Sequence, residues 1–336
     1  MKTLTDQLWT STSFEEAWNT CIAHHCHHQS IAWRYVKEMA RKNDESAARI
    51  PLEEWPLLPI SGFRERLISI TSNPEVIFKS SGTSSSVPSS HAISDLSFYH
   101  KVSVHGFMSY YRDAFQDGAR FIGYVPGYID NPYSSLISMI GAICTELGDK
   151  ARMISTPSEL RKALYQDSTR PVVLFGAAFG LLDIVDQESE TVEHAVRLPK
   201  GSIIIETGGM KTHRRELSRN EMHAMLSDGF GVPTSHIHSE YGMCEMTSQA
   251  YSTDGVWFTP TPLARFVVKE MENPLQTAPI GTIGRLGILD AGNSNSCPWF
   301  LTDDVAVQRE DGSIQLLGRR DKAVSRGCNY MVDVDG

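Results

Sequence analysis

Lys79-Ser80-Ser81-Gly82-Thr83-Ser84-Ser85-Ser86, directly behind the apolar run Val76-Ile77-Phe78, is matched about 160 residues later by Ser239-Glu240-Tyr241-Gly242-Met243-Cys244-Glu245. The first segment is rich in hydroxyls and contains a glycine, so its backbone amides and short side chains suit the oxygens of a triphosphate. The second ends in a carboxylate, Glu245, of the kind that holds the magnesium accompanying ATP. A serine-rich loop by itself reads equally well as a linker. The pairing of the two segments points instead to a site for ATP and its magnesium.

Outward from these segments the pattern is α/β. Ala119-Arg120-Phe121-Ile122-Gly123-Tyr124-Val125, Pro171-Val172-Val173-Leu174-Phe175-Gly176 and Ser202-Ile203-Ile204-Ile205 are short apolar strands separated by helical stretches. That alternation predicts a mainly parallel sheet covered on both faces, beginning near Val76. After Asp254 the character changes to short antiparallel strands at 256–258, 265–269, 281–286 and 313–318, with Glu310-Asp311-Gly312 as a hairpin tip. The first 50 residues read as helices: Phe14, Trp18, Cys21 and Ile22 share one helical period, and Ile31, Tyr35 and Met39 another. Pro51, Pro56 and Pro59 end that region.

The chain has 336 residues and is 41% hydrophobic, enough for a normal core without external support. Its 31 basic and 40 acidic residues give a net charge of −9, and no basic block marks a nucleic-acid surface. Nucleic acid is therefore not expected as a partner. The start, Met1-Lys2-Thr3-Leu4-Thr5-Asp6, lacks an apolar signal core, and no run is long enough for an integral membrane segment, so a cytoplasmic location is expected. Cysteines at 21, 26, 144, 244, 297 and 328 are too dispersed for a disulfide scaffold, and a functional one is expected to be a nucleophile. His24, His25, Cys26, His27 and His28 point in different directions around a helix, and no metal role is expected of them.

Five segments in order resemble the ANL superfamily of adenylate-forming enzymes. The loop from Ser80 to Pro88 is similar to the superfamily's [ST]-[SG]-G-[ST]-[TS]-G-x-P-K, with Ser85 or Ser86 in place of its last glycine and Ser89 in place of its lysine. Tyr241-Gly242-Met243-Cys244-Glu245 looks like its Y-G-x-T-E, with Cys244 replacing threonine. Thr207-Gly208-Gly209-Met210-Lys211 resembles its glycine-rich turn, Thr302-Asp303-Asp304 its T-G-D, and Gly318-Arg319-Arg320-Asp321 its G-R-x-D hinge. The resemblance implies ATP and magnesium as cofactors. It places the triphosphate on Ser80, Ser81, Gly82, Thr83, Ser84 and Ser85, the adenine along Tyr241-Gly242-Met243 and Gly208-Gly209, the ribose on Asp304 and Arg319, and the metal on Glu245.

Near the end, Ser325-Arg326-Gly327-Cys328 is similar to LuxE-type acyl-protein synthetases, as are Arg214-Arg215-Glu216-Leu217 and Ser248-Gln249-Ala250-Tyr251. Ordinary superfamily members continue past the hinge into a mobile domain carrying a catalytic lysine, whereas this sequence ends at Gly336. The family resemblance runs from about Pro59 to the end and divides the chain into an adenylate-forming domain, 1–317, and a short arm, 318–336, bearing an acyl acceptor. It implies activation of a fatty acid, or another carboxylic acid, to acyl-AMP. Transfer to Cys328 as a thioester follows, and then delivery to a partner, a reductase or an acyl carrier protein. Lys322 and Arg326 lie close enough in sequence to favour a thiolate at Cys328, and Cys244 is the competing nucleophile. Two further readings stay open: direct loading of a separate carrier or coenzyme A, and a non-catalytic subunit that binds nucleotide or acyl chains. Ser135 and Met139 on one stretch, with Phe175 and Phe179 on another, are candidates for an acyl pocket because small residues beside aromatics leave room for an alkyl chain.

Overall fold

Side-chain caps set the boundaries of the N-terminal helices. Thr3, Ser13, Ser30 and Asn43 each accept a backbone N–H three residues on, and they open α1 (Leu4–Trp9), α2 (Phe14–His27), α3 (Ile31–Ala40) and α4 (Asp44–Ala47). A computed structural model describes residues 2–80, 87–127, 129–189, 196–208 and 217–320 of the chain. The apolar stripe of α2 and α3 closes on an aromatic cluster in which Trp18, Trp55 and Trp299 stand edge to face at 5.3–5.5 Å. Next to it β1 (Leu58–Pro59) pairs in parallel with Phe300 and Leu301, which fastens the helical region to the main sheet.

A short helix, α5 (Gly62–Glu65), precedes β2 (Val76–Lys79) and β3 (Ser90–Ile93). These two strands pair antiparallel in a sheet of their own, which corrects the expectation that Val76 begins the parallel sheet. The physical reason is length. A parallel crossover takes a dozen or more residues, and the connection from Lys79 to Ser90 is shorter.

The parallel part follows as expected. In chain order it comprises α6 (Leu96–Gln116), β4 (Arg120–Tyr124), α7 (Ser135–Leu147), β5 (Ala151–Ile154), α8 (Pro157–Gln166), β6 (Val172–Ala177), α9 (Ala178–Ser189), β7 (Ile203–Thr207), α10 (Arg219–Phe230) and β8 (Ile237–Tyr241). Strands β5, β4, β6, β7 and β8 lie side by side in parallel. Alternate residues face opposite layers: Phe121, Val173, Phe175 and Ile205 pack under α6 and α7, while Ile122, Leu174, Ile204 and Ile237 pack under α8, α9 and α10. All of β6 is buried, as its continuous apolar run requires.

Beyond β8 the sheet changes direction without a break. Strands β9 (Ala250–Ser252), β10 (Trp257–Pro260), β11 (Ala264–Lys269), β12 (Gly284–Asp290), β13 (Trp299–Gln308) and β14 (Ile314–Arg319) continue it antiparallel. The order β11-β12-β13-β14-β10-β9-β8-β7-β6-β4-β5, with β1 beside β13, makes one twelve-stranded sheet. The segment 242–249 occupies the place where the parallel part gives way to the antiparallel part. In open α/β sheets, ligands collect at such switch points beyond the carboxyl ends of the strands. Among the described residues no helix is long and apolar enough to cross a membrane.

Candidate active site

Tyr241 is the last residue of β8 and points toward β13, where its hydroxyl donates to Asp304 Oδ2 at 2.7 Å. Asp304 lies opposite Arg319 in the β13–β14 register, and Arg319 Nε stands 3.6 Å from Asp304 Oδ1 with most of its side chain in solvent. Three segments far apart in sequence thus deliver a tyrosine, an aspartate and an arginine to one spot. Phe258 and Phe266 hold the Tyr241 ring edge-on at 6.1 Å each, which fixes its direction. Burial pushes the Asp304 carboxyl above the usual aspartate range, against the opposing pull of Tyr241 and Arg319. Burial likewise pushes the Tyr241 phenol up, with Asp304 adding to the effect. The result is a fixed carboxylate flanked by an exposed guanidinium, a pattern suited to a diol such as ribose.

The segment after Tyr241 is braced from behind by residues that the sequence did not single out. Asn293 donates from Nδ2 to the carbonyls of Glu245 (2.7 Å) and Cys297 (3.0 Å), so its Oδ1 is left as an acceptor. His91, buried on β3, places Nε2 2.5 Å from that Oδ1 and Nδ1 2.7 Å from the carbonyl of Cys244. Both nitrogens face acceptors, and satisfying both takes the doubly protonated ring. The nearby Asp290 favours that form, but burial opposes it more strongly and holds the His91 pKa below the usual histidine value. Asp290 in turn accepts from the amides of Thr247 (2.8 Å), Ser248 (2.9 Å) and Gly292 (3.1 Å) and from Ser248 Oγ (2.7 Å). Only Asp290 carried a signal: it directly follows the apolar run Leu286-Gly287-Ile288-Leu289, which marks a buried hydrogen-bonded role.

Glu245 is buried at the centre of this brace, where its main chain is immobilised at both ends. A carboxylate is a hard oxygen ligand of the type that magnesium takes. Among the described residues there is no cluster of three or more His, Cys, Asp or Glu side chains that would hold a metal ion without a substrate's oxygens. Cys244 is buried, and burial together with Glu245 raises its thiol well above the usual range, so it stays protonated.

The remaining sequence-derived residues are placed as follows. Ser80 closes the base of the serine loop: its amide donates to Ser89 O (3.0 Å) and the Ser89 amide donates to Ser80 Oγ (2.9 Å). Ser81, Gly82, Thr83, Ser84 and Ser85, with Gly209 and Cys328, lie outside the described residues. Gly208 follows β7 with φ of 77°, a left-handed conformation that favours glycine. Gly242 has no room for a side chain, because a Cβ there would collide with Glu240 Oε1. Met243 is partly exposed next to the bonded pair Tyr241 and Asp304. Ser135 opens α7, and its carbonyl accepts the Tyr99 hydroxyl at 3.0 Å. Met139 and Phe175 are packed into the apolar core between the sheet and α6–α7, whereas Phe179 at the start of α9 is partly exposed. Glu240 faces the same side of the sheet as Phe175; its Oε2 accepts the Thr207 hydroxyl, and burial pushes its carboxyl up to about 7.

Solved structures show what the fold is like. An open conformation of 2-hydroxyisobutyryl-CoA ligase in complex with 2-HIB-AMP and CoA superposes with a TM-score of 0.64 at 12% identity, covering 92% of this chain and 71% of that one. The same ligase in its postadenylation state gives 0.64 at 12% identity over 92% and 67%. The ATP-bound RpMatB-BxBclM chimera B1 gives 0.51 at 16% identity over 72% and 47%. This chain thus spans about half the length of such chimeras, and at these identities the likeness is one of fold. No curated protein matches the sequence. The profile of the acyl-protein synthetases, LuxE, matches residues 155–334, which is more than half of the sequence. The chain therefore belongs to the LuxE acyl-protein synthetase family.

Proposed function

We propose that this protein activates a carboxylic acid, in the first instance a fatty acid, with ATP. The observation that carries the reading is the convergence of Tyr241, Asp304 and Arg319, which come from three separated motifs and meet at one site. Asp304 and Arg319 take the ribose, Tyr241 lies along the adenine, and the serine loop cradles the triphosphate. A magnesium ion held through Glu245 would neutralise charge on the triphosphate as it reacts. A carboxylate oxygen of the acid attacks the α-phosphorus, the bond to the β-phosphate oxygen breaks, and pyrophosphate leaves with acyl-AMP retained. The fixed Asp304 and the braced Glu245 hold the reactants in line without rearrangement.

In the second step the thiolate of Cys328 attacks the acyl carbonyl, AMP departs and a thioester remains. This assignment rests on the family resemblance and is supported by the state of the other cysteines. Burial keeps Cys21, Cys244 and Cys297 as thiols, burial pushes Cys144 up to about 11, and burial with Asp44 raises the partly exposed Cys26. In this reading residues 1–317 perform adenylation and 318–336 carry the acceptor, which then passes the acyl group to a reductase or an acyl carrier protein.

Intact mass measured after incubation with ATP, magnesium and a panel of fatty acids tests both steps. The expected result is an added acyl mass that hydroxylamine removes and that Cys328→Ala lacks. Pyrophosphate release without any added mass would assign the chain to loading of an external carrier or coenzyme A, and no pyrophosphate with any acid would remove the catalytic reading.

A further inference from the structure

Glu240 and Glu206 are buried carboxylates near the carboxyl ends of β8 and β7 that the reaction above leaves unused, and Glu240 is the one on the face of Phe175. Strand alternation puts it on the face of β8 opposite to its neighbour Tyr241, which reaches for Asp304 and the nucleotide. In register it sits beside Thr207 on β7 and opposite Tyr251 on β9, and Thr207 in turn sits beside Ala177 on β6. Phe175 lies two residues below Ala177 on the same face, inside the apolar core. This face of the sheet is therefore apolar at depth and polar at its rim.

The rim is unsatisfied in a way that points to a ligand. Glu240 accepts the Thr207 hydroxyl on Oε2, and among the described residues no cation faces it; the Glu206 carboxylate on the opposite face only adds repulsion. Its Oε1 packs against the exposed Gly242, where a Cβ would collide with it. Across from it the hydroxyl of Tyr251, itself 1% exposed, has no hydrogen-bond partner among the described residues, and the same holds for Oε1 of the buried Gln249. An apolar residue in place of Glu240 would fill this position without the cost of desolvating a carboxyl. With Thr207 donating to Oε2, the proton of the neutral carboxyl belongs on Oε1, beside the exposed Gly242.

We propose that Glu240, backed by Thr207, is the specificity-determining residue of the site, and that the acid activated here carries a hydroxyl or carbonyl oxygen within a few carbons of its carboxylate. Such an oxygen accepts the Glu240 O–H, or a substrate hydroxyl donates to the ionised form. A plain alkyl chain leaves the buried carboxyl without a partner, and a site built for a hydrogen bond discriminates strongly against the analogue that lacks it. This inference rests on the adenylation reading and narrows its substrate class.

Pyrophosphate release tests it, using the full chain with ATP, magnesium and acids paired by length: hexanoate, decanoate and tetradecanoate against their 2-hydroxy and 3-hydroxy counterparts. The expected result is a preference of about tenfold or more in kcat/KM for a hydroxylated acid at the best chain length. Glu240→Leu shifts that ratio toward the unsubstituted acid, while Glu240→Gln, which keeps shape and hydrogen bonding, retains it. A merely structural Glu240 would lower both rates together and leave the ratio where it was. Equal use of the two acids by the wild-type protein, or an unchanged ratio in the leucine variant, overturns the inference and leaves adenylation standing. Should the leucine variant fail to fold, the wild-type ratio decides. Silence with every acid ends the adenylation reading, and this inference with it.

Discussion

Tyr241 and Asp304 are 63 residues apart, yet one 2.7 Å hydrogen bond makes them a single functional unit. Tyr241→Phe removes the donor and leaves a mostly buried carboxylate with only the exposed Arg319 to face. The expected cost is about 1–3 kcal/mol in urea unfolding, with a raised KM for ATP and a smaller change in KM for the acid. Asn293→Ala strips the brace from Glu245 O and Cys297 O and removes the acceptor of His91 Nε2. It is expected to lower kcat and weaken the response to magnesium more than it weakens ATP binding, as read from pyrophosphate release at varied magnesium. Glu240 gives a pH signature. Its folded pKa of about 7 lies above its ordinary value of 4.5, so below 4.5 its contribution is intact, and it is lost as pH rises toward and through 7. Stability should fall over that window by on the order of 3 kcal/mol from this group. Urea unfolding of the wild type and Glu240→Gln between pH 5 and 8 checks this, and only the wild type should show the added slope.

At the scale of elements, the most informative contact is where β12 passes under the N-terminal region. A Cβ on Gly287 would collide with Leu57 and Val267, so Gly287→Ala must push apart β11 and the segment leading into β1. A loss of about 1–3 kcal/mol in denaturant unfolding is expected, and a value near zero would show that the segment yields freely. The sequence made β4, β6 and β7 legible because each is a short, buried apolar run, whereas the edge strand β5, Ala151-Arg152-Met153-Ile154, is largely unburied and was not legible. β8 was not legible as a strand: it reads Ile237-His238-Ser239-Glu240-Tyr241, and its polar residues are buried for chemical reasons rather than to form a core. β2 was placed in the wrong sheet because an apolar run specifies a strand but not its partner; the short return to β3 decides that. The site motifs were legible as residue types in order. Of the brace, His91 and Asn293 were not, since each sits among other polar residues and its bracing partners come from other segments.

At the scale of the whole molecule, the two kinds of sheet are one continuous structure joined through β8, β9 and β10. All six tryptophans, at 9, 18, 33, 55, 257 and 299, lie outside the parallel half. Tryptophan fluorescence therefore reports the antiparallel and helical part, whereas far-ultraviolet circular dichroism reports every helix. Because no seam divides the sheet, the two unfolding curves in urea are expected to coincide, and a lower midpoint by one probe would reveal two independent units.

The position of β14 has a consequence for synthesis. This strand is late in the chain but central in the sheet, lodged between β13 and β10. Until it leaves the ribosome, a nascent chain holds two unpaired strand edges facing a gap and lacks Arg319 beside Asp304. The meeting of Tyr241, Asp304 and Arg319 is thus completed in one event, and chains stalled before residue 314 are the ones that chaperones should retain.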